Sequence, residues 1–243
     1  MRYLLKYPLK YLSYLAILPV ARKNFRSKLY DAFLYTKSEK ADNLREKQRK
    51  LKAQELSYYV YSRIDKGSVC IDCGANVGKV SSTWAEKGAV IHAFEPHPAC
   101  FKVLESNLKD QANVILYNKG VGLKNEKLKL YLKCGSESSD VNESASIIPE
   151  KLNVSADSFI MVDVINLIDF IKNLGARVDV LKLDIEGAEV DLLNEIIDRG
   201  IHQKTGIIVA ELHEHIPGLS SGIRMLKNKI CAQGIKNIHL DWE

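Results

Sequence analysis

Asp72, Glu95, Asp184 with Glu186, and Glu211 with His213 each sit at or just past the end of a short apolar run. Carboxylates and an imidazole placed this way can accept hydrogen bonds from ammonium or hydroxyl groups, take protons as general bases, or gather round a cation. Between Asp72 and a helix-like segment lies Gly74-Ala75-Asn76-Val77-Gly78. Its glycines let a ligand approach bare backbone, and the helix that follows presents unpaired N–H groups. All of these residues can serve one site if the fold gathers the ends of the apolar runs. Open α/β sheets do so at the carboxyl ends of their strands.

The elements that would position them follow from the pattern. Strands are expected at 69–72, 90–95 and 113–118, and helices at about 79–87 and 98–109. Lys127–Leu132 and Phe159–Val164 read as added strands flanking a Ser/Asp/Glu-rich loop, 135–146, which is a candidate lid. A helix near 166–174, a strand at Val178–Asp184, a helix at 187–199, a strand at 206–212, a helix at 220–232 and a strand near 235–240 complete the chain. This alternation implies an α/β fold, a doubly wound and mostly parallel sheet with helices on both faces. Upstream, 39–64 reads as a helix in which Leu44, Leu51 and Tyr58 recur at heptad spacing. Its tyrosines Tyr58, Tyr59 and Tyr61 are expected to pack. The expected division is an N-terminal helical extension, 1–64, and a single domain, 65–243.

The glycine spacing narrows the ligand. A dinucleotide site wants Gly-x-Gly-x-x-Gly, so that pyrophosphate can sit on the helix N-terminus. Here the spacing is Gly74-x-x-x-Gly78, with Asp72 two residues before it. A carboxylate there repels pyrophosphate but attracts an ammonium group, which disfavours a nicotinamide dehydrogenase. S-adenosylmethionine has no phosphate and carries an amino-acid end and a sulfonium. Glu95, 21 residues beyond Gly74, stands where a carboxylate can accept both ribose hydroxyls.

Three blocks then carry a resemblance: Asp72-Cys73-Gly74-Ala75-Asn76-Val77-Gly78, Ala93-Phe94-Glu95-Pro96, and Lys182-Leu183-Asp184-Ile185-Glu186-Gly187-Ala188-Glu189. The chain over about 67–214 resembles the FkbM-type S-adenosylmethionine-dependent methyltransferases, and the third block is the specific one. The resemblance implies a Rossmann-like class I domain that methylates hydroxyl oxygens of sugars or small metabolites by in-line displacement. It implies that Asp72, Gly74, Ala75, Asn76 and Gly78 border the methionine end of the cofactor. Glu95 and Pro96 would meet the ribose, and Asn118, Gly120 and Val121 the adenine. Asp184 and Glu186 would face the methyl group or its acceptor. A hydroxyl needs a base within hydrogen-bond reach, and the candidates are Asp184, Glu186 and His213. Glu211, His213 and His215 point to one side of an extended strand. With Asp184 they could hold a divalent metal, but strand-end histidines are more often ordinary polar residues, so no metal is assigned.

Charge is distributed unevenly. Residues 1–52 hold 14 Lys/Arg and 4 Asp/Glu, while the rest of the chain is acidic. A basic, Leu/Tyr-rich arm suggests an anionic surface, either phospholipid or nucleic acid. Residues 1–36 are therefore a candidate for peripheral contact with an anionic membrane, or for packing against the body or a second subunit. The run Leu9–Leu18 is too short to span a bilayer. Nucleic acid is not expected as a partner, because Asp184-Ile185-Glu186-Gly187 sets acidic groups where a phosphate backbone would lie. A glycan or small-molecule hydroxyl acceptor is expected instead. The alternatives are an RNA methyltransferase that uses the basic arm, and an inert membrane-surface module. Five cysteines without framework spacing suggest a reducing, cytoplasmic setting, with Cys70 and Cys73 as two unconnected thiols.

Overall fold

A computed structural model of the chain describes residues 43–44, 46–135, 137–138, 141, 145–148, 154–213 and 218–242. The basic arm of residues 1–36, His215 and much of the 135–146 loop lie outside the described residues. The chain divides into two compact units, Met1–Leu51 and Lys52–Glu243.

The larger unit is built on two sheets. The principal one contains β1 (Val69–Cys73), β2 (Val90–Phe94), β3 (Val114–Tyr117), β7 (Val178–Leu183), β8 (Thr205–Ala210) and β9 (Ile238–His239). Its order is β3-β2-β1-β7-β8-β9, and every neighbouring pair runs parallel. Strand order reverses between β1 and β7, and that switch opens a crevice above their carboxyl ends.

Alternating side chains feed two cores, one on each face of the sheet. Ile71, Leu181 and Ile208 pack with Leu167 and Ile168 of α4 (Leu167–Asn173), with Leu192, Leu193 and Ile196 of α5 (Glu189–Asp198), and with Leu226 of α6 (Leu219–Ala232). Cys70, Ile91 and Val209 turn the other way, towards Trp84 of α2 (Lys79–Ala85) and Leu104 of α3 (Pro98–Leu108). Val60 and Ile64, at the end of the helix over 46–62 (α1), join this second core.

α1 differs from its expected stripe. Leu44, Leu51 and Tyr58 are exposed, Tyr58 at 75%, and the buried positions are Ala53, Val60 and Ile64. A heptad of large residues marked the wrong face because the packing positions hold smaller and β-branched side chains.

The second sheet, β4-β6-β5, forms between β3 and α4. It contains β4 (Gly120–Gly122), β5 (Glu126–Lys133) and β6 (Val154–Asn166). The alternating Lys127-Leu128-Lys129-Leu130 already marked β5. The stretch just after the expected third strand contains the short strand β4, which pairs parallel with the end of β6. Gly-Val-Gly has little strand propensity of its own, so it is the partner strand that makes it one.

Cys70 and Cys73 are free and buried on opposite faces of β1, so they form no pair. Burial pushes the Cys70 thiol up to about 12. No helix among the described residues is long and apolar enough to cross a membrane.

Candidate active site

The glycine turn after β1 is held by both neighbouring strands. Gly74 N and Ala75 N donate to Phe94 O at the end of β2, while Asp184 N donates to Cys73 O from the end of β7. Gly74 has φ +78, and a Cβ there would lie 1.7 Å from the Asp184 carbonyl oxygen. No other residue allows β1 and β7 to close on the turn this tightly.

Above it opens a cleft of about 280 Å³, lined on one side by Gly74, Asn76, Glu95, Pro96, Gly120 and Val121. Asp184, Glu186 and Glu211 line it from the ends of β7 and β8. The structure thus gathers most of the residues singled out in the sequence. Besides His213, four others line no part of the cleft. Ala75 packs into the second core. Gly78 caps α2, where a Cβ would press on Leu104 at 2.6 Å. Asn118 spends its amide donating to Glu95 O and Pro96 O, which fixes the β2 turn from the end of β3.

Asp72 is the fourth, and it departs furthest from expectation. It is fully buried, accepts a hydrogen bond from Ser81 Oγ at 2.7 Å, and pairs with Lys182 Nζ at 3.1 Å. The carboxylate expected to draw a ligand ammonium is already neutralised from within. The sequence hid this because Lys182 lies in an apolar strand 110 residues away.

Glu95 lines the cleft just past the end of β2. Its Oε2 accepts from Asn76 N at 2.9 Å and its Oε1 from His97 N at 2.8 Å. Burial outweighs these two bonds and pushes its pKa up to about 7. Each oxygen keeps a lone pair for a further donor.

The Asp184–Glu189 block forms a clamped turn. Glu189 accepts from Ile185 N at 2.8 Å and Gly187 N at 2.9 Å, so α5 begins at Glu189 rather than at 187. Glu186 takes φ +62 and Gly187 φ +126. A non-glycine residue in the left-handed region needs outside support. Here Ser146 Oγ donates to Glu186 O at 2.6 Å, and His213 Nε2 pairs with the Glu186 carboxylate at 2.9 Å.

His213 also faces Glu189, through Nδ1 at 3.3 Å. Burial disfavours charge on the ring, but the bonds to Glu186 and Glu189 prevail and push its pKa up to about 10. A ring that already carries its proton at neutral pH cannot take another. The contacts of both ring nitrogens suit His213 to holding the turn rather than to the role of base expected of it. It also completes a group with Asp184 and Glu211 whose ligand-type atoms lie within 4.8 Å of one another. Both ring nitrogens, however, face carboxylates. Asp184, by contrast, reaches the cleft with its side chain 29% exposed. Burial raises its carboxyl above the ordinary range, against the lowering effect of Lys182.

The second sheet supplies a wall that motif reading missed. Leu128 and Leu130 of β5, Val162 and Val164 of β6, and Ala145 with Ile147 make one side of the cleft apolar. Its signal was the period-two pattern in those strands, which marked a buried face without saying what it faced.

Residues 72–230 match the methyltransferase FkbM domain. The chain belongs to that family. A curated relative, Methyltransferase 1 of Beauveria bassiana (strain ARSEF 2860), is 30% identical over 148 residues, 54% of this chain and 59% of that protein. The chain thus spans less than two thirds of that relative's length. Among solved structures, a putative rRNA methylase from Clostridium thermocellum shares 9% identity at TM-score 0.44, covering 75% of this chain and 79% of that one. Precorrin-6y C5,15-methyltransferase from Geobacter metallireducens GS-15 shares 17% identity at TM-score 0.38, covering 72% and 70%.

The methyl donor implied by the FkbM family is S-adenosylmethionine, and the cleft suits it. The Asn76 side-chain oxygen is buried with no hydrogen-bond partner among the described residues, on the wall that would meet a ligand ammonium. Glu95 offers lone pairs for ribose hydroxyls. A Cβ on Gly120 would press towards Val164 and Pro96, so the glycine keeps that end of the cleft open.

Proposed function

We propose that this protein is an O-methyltransferase acting on a hydroxyl of a sugar, glycan or small metabolite. When bound, S-adenosylmethionine supplies an electrophilic methyl group. The chain's own residues do the rest. Gly74, Asn76 and Glu95 seat the cofactor, Gly120 and Val121 border its base, and Asp184 accepts the proton of the acceptor hydroxyl. Glu186, fixed by His213 and Ser146, accepts a second hydrogen bond and orients the acceptor.

The observation that carries this reading is Asp184: a carboxylate at the switch point of the sheet, open to the cleft, and made more basic by burial. A hydroxyl is a poor nucleophile until its proton is taken, and a desolvated carboxylate is suited to take it. Asp184, Glu186 and Glu211 make the rim acidic, which favours a neutral acceptor over a polyanionic one.

Incubating the protein with methyl-labelled S-adenosylmethionine and separate glycan, metabolite and RNA pools tests the proposal. Label in an alkali-stable ether of the glycan or metabolite pool supports it. Label confined to RNA, or no label with any pool, refutes it.

A further inference from the structure

Lys182 lines no part of the cleft, yet it touches both strands that form it. It is the penultimate residue of β7, only 3% exposed, and lies opposite Asp72 in the β1–β7 register. Its Nζ stands 3.1 Å from Asp72 and 3.3 Å from Asp184. It also donates to Gly74 O at 3.0 Å and approaches Cys73 O at 3.5 Å. Ser81 of α2 donates to the far oxygen of Asp72. One ammonium therefore ties the glycine turn to the catalytic strand end, and a serine ties that pair to the helix behind it.

A lysine kept only to neutralise Asp72 would not need the rest of this arrangement. The Gly74 carbonyl belongs to the turn beneath the cofactor, and Asp184 is the carboxylate that reaches the acceptor side. We propose that Lys182 is a positioning residue, which fixes the Gly74 carbonyl and the Asp184 carboxylate for the methyl donor without touching it. The inference rests on the methyl-donor reading of the cleft.

Lys182 also helps set the charge of Asp184. That carboxylate is faced by Lys182 on its own strand, by Glu186 and Glu189 from the turn and helix after it, and by Glu211 and His213 from the end of β8. Three carboxylates favour its protonation, while the two cations oppose it. Taking away Lys182 leaves His213 alone against them, so Asp184 should protonate at higher pH.

Lys182→Met alone strands Asp72 as a buried, unpaired charge and can fail for lack of stability. The informative variant is Lys182→Met with Asp72→Asn, in which both charges are gone and the amide introduced at position 72 can still accept from Ser81 Oγ. Calorimetric titration with S-adenosylhomocysteine and with S-adenosylmethionine is run on the full chain, wild type and double variant, beside thermal unfolding. The expected result is unfolding close to wild type with affinity for S-adenosylhomocysteine weaker by about tenfold or more. The two ligands differ by the sulfonium charge. Their affinity ratio should therefore fall with decreasing pH as Asp184 protonates, and that fall should move to higher pH in the double variant. Wild-type affinity in the double variant, or an unmoved ratio profile, overturns the inference and leaves Lys182 as a counter-ion for Asp72. If the wild type binds neither ligand, the methyl-donor reading itself falls, and this inference with it.

Discussion

Glu95 offers the sharpest quantitative test, because its surroundings make cofactor binding depend on pH. Its carboxyl is pushed from 4.5 up to about 7, first by burial, with two backbone N–H bonds pulling the other way. At about 1.4 kcal/mol per pH unit, the fold disfavours the ionised form by about 3 kcal/mol. The sign follows from linkage. The folded-state value is raised, so Glu95 contributes stability below pH 4.5 and loses that contribution as pH rises through about 7. Ribose hydroxyls donate to the carboxylate and favour its ionised form, so binding below about pH 7 must expel a proton. Affinity for S-adenosylhomocysteine should be flat above pH 7 and weaken roughly ten- to thirtyfold by about pH 5.5. Calorimetry in two buffers of different ionisation enthalpy reads both the affinity and the proton release. Glu95→Gln, which keeps the shape, should bind about tenfold more weakly at pH 8 and lose most of the pH slope. The same slope in the Gln variant would assign the titration to another group, and unchanged affinity would remove Glu95 from the ribose.

The other expectations are shorter. Gly74→Ala places a methyl 1.7 Å from the Asp184 carbonyl oxygen; it should cost more than about 2 kcal/mol in urea unfolding and abolish binding of S-adenosylhomocysteine. His213→Gln removes the cation between Glu186 and Glu189 and should cost about 3 kcal/mol at neutral pH. The contribution of His213 is full below pH 6.5 and lost as pH rises through about 10, so the two unfolding curves should converge at alkaline pH. Asp184→Asn should lower turnover on the acceptor found by the labelling experiment by about a hundredfold or more, with a much smaller change in cofactor affinity; an active variant removes its role as base. Deleting residues 1–36 should release the protein from anionic liposomes in a sedimentation assay; full-length protein that never binds them excludes a membrane role for the arm.

Much of the architecture was legible because it depends on local patterns. Apolar runs of strand length alternate with helical periodicity, so β1, β2, β3, β7 and β8 could be placed within a residue or two. Polar residues just past those runs then marked the cleft. What stayed hidden depended on partners distant in sequence. Asp72 and Asp184 look alike at two strand ends, and only the register of β1 on β7 shows that Lys182 buries one and flanks the other. His213 suggested a base because an imidazole alone titrates near neutrality; only the fold shows two carboxylates, from the turn and helix after β7, against its ring nitrogens. The strand β4 has no propensity of its own, and its glycines are strand only because β6 runs beside them.

The Asp184–Glu189 motif therefore encodes geometry as much as chemistry. Glu189 spends both oxygens on the N–H groups of Ile185 and Gly187, bending the chain back just after Asp184. That bend needs positive φ at 186 and 187, and glycine at the second position meets the more demanding value. Glu186 pays for its own strained backbone through the Ser146 and His213 contacts, and in return its side chain reaches the cleft. Asp184 then needs no clamp beyond Lys182, because the turn that follows carries the chain away and leaves its carboxylate open. Substituting Glu189 should thus disturb the aim of Asp184 and Glu186 even though Glu189 itself is almost completely buried and lines no part of the cleft.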